Sequence, residues 1–144
     1  HQGTGNVACG FLEGYGIKEG AVALSVAHDS HNIIVVGVSD EEMEFAVNSL
    51  IKQEGGIVLV KEGKVIESMP MPIAGLMSDQ SGEWVDQKLT DIHAKAYEEL
   101  GICGDVEPVM TLCFMSLAVI PEVKLTDMGL FDVTTFSFIP VEAE

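Results

Sequence analysis

The sequence predicts a single α+β domain in which a mixed or antiparallel β-sheet carries two main helices. Four short apolar runs rich in Val and Ile precede residue 70, and such runs are typical of buried strands. Two further stretches with apolar residues at helical spacing each follow a serine that can cap a helix. Two strands followed by a helix occur twice, an order that also fits an internal ββα duplication.

The predicted strands cover residues 21–27, 33–38, 57–60 and 65–69. Glu62-Gly63, between the last two, is typical of a hairpin turn. Ser39 and Glu42 fit a capping box at the start of the first helix, and Gly55-Gly56 ends that helix. Ser81 can cap a second helix over residues 82–100, which Gly101 closes.

The remaining segments give weaker signals. Residues 109–120 are a long apolar run consistent with a central strand, and Pro121 stops it. The glycine-rich residues 1–20 predict one or two short strands or turns. Residues 73–79 form a compact connection that either lines a pocket or subunit contact or acts as a rigid corner. The remaining expectations are short strands or contacts near the carboxyl end and fraying of its last residues: 123–125, 130–131, 136–138 and 142–144.

The charge balance limits the ligands that this chain can bind. It contains 23 acidic residues and seven lysines, has no arginine, and carries a net charge of −16. This charge repels nucleic-acid backbones and anionic membranes, and without arginine there is no guanidinium fork for a phosphate. No apolar run is long enough to span a membrane. We therefore expect no nucleic-acid or membrane partner, whereas a neutral base remains compatible with the charge.

The cysteines favour a reducing compartment. Cys9, Cys103 and Cys113 are odd in number and have no CxxC spacing, so a disulfide framework is not indicated. We therefore expect a cytoplasmic protein. Cys113 lies inside an apolar run and is predicted to be a buried small hydrophobic residue.

One polar cluster between two apolar strands is the candidate site: His28, Asp29, Ser30, His31 and Asn32. It brings two imidazoles, a carboxylate, a hydroxyl and an amide into five consecutive residues. The same residue types also form tight turns, so a turn without further function is an equal alternative. The His-x-x-His spacing marks out no third ligand, and no metal site is predicted on this chain.

Three sets of motifs carry a resemblance to a known family. The segment SVAHDSHNIIVVG at residues 25–37 resembles the C-terminal domain of bacterial-type adenine deaminases, in the metal-dependent amidohydrolase superfamily. GGIVLVKEGKV at residues 55–65 and PIAGLMSD at 72–79 resemble the same domain, as do MTL at 110–112, VIPEVKLTD at 119–127 and GL at 129–130. The resemblance covers nearly the whole chain, so we expect residues 1–144 to form this one domain.

The resemblance implies that a full-length enzyme hydrolyses adenine to hypoxanthine and ammonia in purine salvage or catabolism. It also implies a divalent metal pair, manganese or iron, on a (β/α)8 barrel. This chain has no His-x-His and is too short for such a barrel. We therefore expect the metals on an amidohydrolase barrel domain of the same polypeptide, outside this chain. The chain starts with His1 rather than Met, which agrees with a part of a longer protein. The resemblance implies that the whole protein is a homo-oligomer and that this part is inactive on its own.

With the resemblance, the polar cluster gains provisional roles. His28 and Asp29 are the candidate catalytic residues, and Ser30, His31 and Asn32 are candidate substrate-binding residues on a loop directed at the barrel's active site. One alternative is a structural or oligomerisation module that packs on the barrel without a catalytic role. A free-standing metal or small-molecule binder is a further alternative.

Overall fold

A four-stranded antiparallel β-sheet lies at the centre of the structure, a computed structural model that describes residues 3–142. Its strands are β1 (Ala21–Leu24), β2 (Ile34–Gly37), β3 (Gly56–Lys61) and β4 (Lys64–Pro70). They lie side by side in the order β2-β1-β3-β4, and every neighbouring pair is antiparallel. The predicted α+β class and four predicted strands are confirmed, with strand ends shifted by one to three residues.

The two main helices, α1 (Asp40–Lys52) and α2 (Gly82–Glu98), cover opposite faces of this sheet. Successive side chains of a strand point to opposite faces. Accordingly, Leu24 of β1 packs in one core with Ile92 of α2, whereas its neighbour Ala23 packs in the other core with Leu50 of α1. The order strand, strand, helix occurs twice, as the sequence predicts.

Serine caps begin both main helices. Ser39 Oγ accepts a hydrogen bond from Glu42 N, and Ser81 Oγ accepts one from Trp84 N, each at 3.3 Å. The predicted capping box is only half formed, because Glu42 Oε1 accepts its hydrogen bond from Gly63 N at 3.2 Å. That contact ties α1 to the turn between β3 and β4 instead of closing the first turn of the helix.

The β3–β4 hairpin has the predicted turn. Glu62 and Gly63 both have positive φ, +51° and +67°, the geometry that matches the twist of a two-residue hairpin. Gly56, at the start of β3, has φ +111°, and a Cβ there would lie 2.0 Å from the backbone oxygen of Met69. Glycine is therefore required where the chain passes from α1 into the sheet.

The central strand predicted over residues 109–120 is wrong. The segment begins with a short helix, α3 (Pro108–Cys113), and continues in turns. The Glu107 side chain caps its first turn, and Pro108 suits that turn because its missing N–H would have no helical partner. The buried apolar side chains recur at intervals of three and four: Val109, Leu112 and Cys113. This period, rather than the length of the apolar run, indicates a helix.

The amino-terminal segment also differs from the prediction, since residues 3–20 form no strand. They form no regular element and bend at residues 14–15 and 19–20, which fits the expected turns but not the expected strands. Their backbone hydrogen bonds go to the end of α2 and beyond, from Lys18 N to Leu100 O at 2.9 Å and from Cys103 N to Tyr15 O at 3.1 Å. These backbone N–H and C=O groups are therefore not available for pairing with a neighbouring strand.

A second, three-stranded antiparallel sheet follows α3. It consists of β5 (Val123–Thr126), β6 (Gly129–Asp132) and β7 (Ser137–Ile139), in that order. The three short segments expected near the carboxyl end are therefore strands of one sheet. Of the residues expected to fray, 143 and 144 lie outside the described residues.

Gly56→Ala should destabilise the chain strongly. The added Cβ collides with the Met69 carbonyl at a backbone φ that L-residues avoid, so we expect a loss of about 3 kcal/mol or more. Gly82→Ala is the matched control, because a Cβ there meets no atom within 4 Å, and its stability should be unchanged or slightly raised. Urea unfolding measures both, and equal midpoints would contradict the close approach.

Candidate functional site

The polar cluster lies on the loop between β1 and β2, and α3 holds it in place. His28 N donates a hydrogen bond to Cys113 O at 2.9 Å, and Ser116 Oγ donates one to His28 O at 3.0 Å. His31 N donates to Ala27 O at 2.6 Å, which closes the turn within the loop. Both backbone groups of His28 are therefore bonded to the segment that starts with α3.

The His28 ring is fixed by its aromatic neighbours. It stacks on Phe114, with centroids 5.1 Å apart and planes 19° from parallel, and it meets His31 edge-on at 5.4 Å. Its side chain is 38% exposed, so one part of the ring is packed and another part faces solvent. The ring is thus oriented by packing while it remains accessible to a ligand.

Asp29 lies at the tip of the loop. Its side chain is 89% exposed, and Oδ1 lies 3.9 Å from His28 Nδ1. That distance is at the outer limit of an ion pair, and an exposed pair contributes little to stability. The carboxylate is nevertheless near enough to bias the orientation of the imidazole.

His31 is the most constrained residue of the cluster. Its φ is +52°, an uncommon conformation for a residue with a side chain. Its Nδ1 atom is buried, and no atom of residues 3–142 forms a hydrogen bond with it. Buried polar atoms are normally satisfied, so this nitrogen has hydrogen-bonding capacity to offer.

Ser30 and Asn32 line a groove of about 480 Å³. The structure therefore divides the predicted site. His28 and His31 come together against Phe114, Asp29 points into solvent, and Ser30 and Asn32 line the groove.

The sequence prediction missed the residues that support the loop. Cys113, Phe114 and Ser116 fall in the run that was predicted to be a strand, so their contacts with His28 could not be foreseen. The helical spacing after Glu107-Pro108 is the signal that would have indicated α3.

The helix α3 is itself anchored from two sides. The buried Tyr15 hydroxyl donates to Pro108 O at 2.8 Å, and burial raises the pKa of this phenol, with the nearby Glu107 charge acting in the same direction. Glu107 Oε1 also lies 2.6 Å from His93 Nε2 on α2. His93 therefore has a structural contact.

A second junction fixes the connection over residues 73–77. Ser25 Oγ donates to Gly75 O and accepts from Gly56 N at 2.7 Å, so one hydroxyl joins this connection to the sheet. The connection is a rigid corner, one of its two predicted roles. Ile73 and Met77 on its outer surface are exposed, which leaves a contact with another domain or subunit open.

The described residues do not fit a metal pair. Across residues 3–142, no three His, Cys, Asp or Glu side chains come together in a group that could hold a metal ion. No metal-dependent step is therefore assigned to residues 3–142. Within the same residues, no helix is long and apolar enough to cross a membrane.

Comparisons with known proteins agree on one family. The family model described as adenine deaminase C-terminal domain matches residues 1–137. The chain is 75% identical over 143 residues to "Adenine deaminase 2" of Desulfotalea psychrophila, which covers 99% of this chain and 25% of that protein. It is 52% identical over 141 residues to "Adenine deaminase" of Nitratidesulfovibrio vulgaris (strain DP4), which covers 98% and 24%. The chain therefore spans about a quarter of the length of these curated relatives.

Thiol labelling tests the packing of α3 behind the loop. Burial raises the pKa of the Cys113 thiol from 9.0 to about 11, with the Glu107 charge adding to the effect, whereas Cys9 and Cys103 are exposed. Cys113 should react with iodoacetamide roughly a hundredfold more slowly than Cys103, because only the thiolate attacks. Peptide mass spectrometry at pH 8 measures both rates, with urea-unfolded protein as the control. Equal rates in the folded protein would contradict this packing.

Proposed function

The chain belongs to the adenine deaminase C-terminal domain family, and we propose that the protein carrying it hydrolyses adenine to hypoxanthine and ammonia. The observation that carries this proposal is the match along 99% of the chain to a 75% identical protein named adenine deaminase. In the reaction, a C6–O bond forms from water, the C6–N bond breaks, and the amine leaves as ammonia after it has gained a proton. The pathway we propose is purine salvage or catabolism.

We assign the metal pair and the candidate loop to different domains of the polypeptide. We propose that an amidohydrolase barrel domain of the same polypeptide holds the divalent metal pair, manganese or iron, because the described residues here do not fit one. Residues 1–144 then form a separate C-terminal domain that is inactive alone. Its contribution is to orient the purine and to assist proton movement.

His28 is the residue best suited to act on the substrate. An imidazole can donate or accept a proton near neutral pH, and the Phe114 stack fixes the plane of this ring while leaving it accessible. The exposed Asp29 carboxylate lies 3.9 Å from Nδ1 and can orient the ring. In this proposal His28 transfers a proton at the departing amine or hydrogen-bonds the purine edge, and Asp29 supports it.

The other members of the cluster are assigned to binding. His31 is assigned to binding because its ring meets the His28 ring edge-on, with centroids 5.4 Å apart, so the two imidazoles lie together on the loop. Ser30 and Asn32 add a hydroxyl and an amide from the adjoining groove. A neutral base also suits a chain with a net charge of −16 and no arginine, whereas a nucleotide phosphate does not.

Assembly and location complete the proposal. We propose a cytoplasmic homo-oligomer, since the three cysteines show no disulfide framework and the exposed Ile73 and Met77 provide apolar contact surface.

Replacement of His28 tests the proposed role of the loop. In the full-length, metal-loaded enzyme, His28→Ala should lower ammonia release from adenine by about a hundredfold, the effect expected for loss of a proton-transfer or orienting group. Gln87→Ala is the control, since that exposed side chain lies on α2 and bonds Asp91 at 3.0 Å, and its turnover should stay within about threefold of the parent. Thermal unfolding and metal content are measured in parallel.

Two different failures can be distinguished. If the metal-loaded parent releases no ammonia from adenine, the proposed reaction is wrong. If the parent is active and His28→Ala is equally active and folded, the loop has no catalytic role. The domain would then be a structural or oligomerisation module.

A further inference from the structure

An apolar groove beside the candidate loop has no covering element among residues 3–142. Five parts of the chain form it: the amino-terminal segment, the candidate loop with β2, α1, the residues after α3, and the end of β5. Its volume is about 480 Å³. The groove is defined by its apolar residues Val7, Ile33, Val35, Val47 and Leu125, and by its polar residues Ser30, Asn32, Ser116, Thr126 and Asp127.

The rim of the groove is unusually apolar for a surface in contact with water. Val7 is 86% exposed, Ile33 is 43% exposed, and Phe11 on the same amino-terminal segment is 95% exposed. Contiguous apolar surface of this kind marks an interaction site in soluble proteins.

Two polar side chains of the groove, those of Ser116 and Thr126, form hydrogen bonds within the domain. Ser116 Oγ donates to His28 O at 3.0 Å. Thr126 Oγ1 donates to Gly129 O at 3.0 Å and accepts from Met128 N at 3.2 Å. Away from Ser30 and Asn32, the apolar residues therefore form most of the groove's surface, which favours apolar side chains of a polypeptide.

The full length of the relatives indicates which polypeptide can fill the groove. The chain matches about a quarter of each of them, and it belongs to the family of C-terminal domains. We infer that the groove receives an apolar segment from the preceding three-quarters of the same polypeptide, with a basic or hydrogen-bond-donating residue facing Asp127. This inference rests on the proposed function, since it takes the missing part to be the barrel domain.

Charge and position support this occupant over a second copy of the domain. A second copy of the domain carries 23 acidic residues against seven lysines and no arginine, so it is a poor source of a basic residue to face Asp127 in this groove. A segment seated in the groove would also touch Ser30 and Asn32. The same contact would therefore fix the candidate loop relative to the barrel's active site.

Photo-crosslinking in the full-length protein tests the inference. p-Benzoylphenylalanine replaces Ile33, and in a matched control it replaces Ile51, which is 58% exposed on α1 and is not one of the residues that line the groove. After irradiation, the product from position 33 should migrate at the mass of one chain on a denaturing gel. Mass spectrometry should locate the crosslink on a peptide that precedes this domain, and position 51 should give no such product.

Other crosslinking results would overturn the inference. Crosslinks from position 33 to a second chain would assign the groove to an interface between subunits. Crosslinks confined to residues 1–144, or none beyond those of position 51, would mean that the preceding segment does not occupy the groove. Adenine turnover of the same preparation is measured separately, so a wrong reaction and a wrong contact give different results.

p-Benzoylphenylalanine is bulky and can itself prevent a segment from entering the groove. Cysteine is smaller and tests the same contact without this obstacle. In the full-length protein, Ile33→Cys should react with a maleimide about tenfold more slowly than Ile51→Cys, a ratio equivalent to about 1.4 kcal/mol of protection. Equal labelling rates in a folded protein would contradict the inference.

Discussion

The antiparallel pairing of β1 with β3 is the contact on which the rest of the structure depends. The four β1 residues pair with residues 57–60 of β3, and the side chains of both sets are buried. Because successive residues point to opposite faces, one strand pair supports two cores, with α1 on one side and α2 on the other. The candidate loop leaves the end of β1, and the corner at residues 73–77 is joined to the start of β3 through Ser25. The candidate loop and the corner are therefore both attached at this strand pair.

The loop obtains its order from a distant part of the chain. His28 is bonded through both backbone groups to the segment that begins with α3, and its ring stacks on Phe114. Tyr15 and Glu107 in turn fasten α3. A side chain that acts on a substrate must be held close to its productive geometry, and such support from packing and hydrogen bonds is the usual means. The same contacts would also stabilise a turn without catalytic function, so activity measurements are needed to separate the two roles.

Local signals determined how far the sequence predicted this structure. The caps at Ser39 and Ser81 and the Glu62-Gly63 turn act within a few residues, and the elements they bound are present. The run at 109–120 failed because a continuous apolar segment fits a buried strand or a helix, and only the spacing after Pro108 favours the helix. The five polar residues could be chosen from residue type. The structure divides these residues into one group beside Phe114 and another along the groove. This division could not be predicted, because it depends on contacts with residues more than 80 positions away.

The central claim is that this domain brings His28 to the substrate of a barrel located elsewhere in the polypeptide. A crystal structure of the full-length, metal-loaded enzyme with an unreactive adenine analogue tests it most directly. The account predicts an imidazole nitrogen of His28 about 3 Å from a purine atom, or joined to one through a single water. A folded domain whose residues 28–32 face solvent, with the analogue enclosed entirely by other residues, would contradict it.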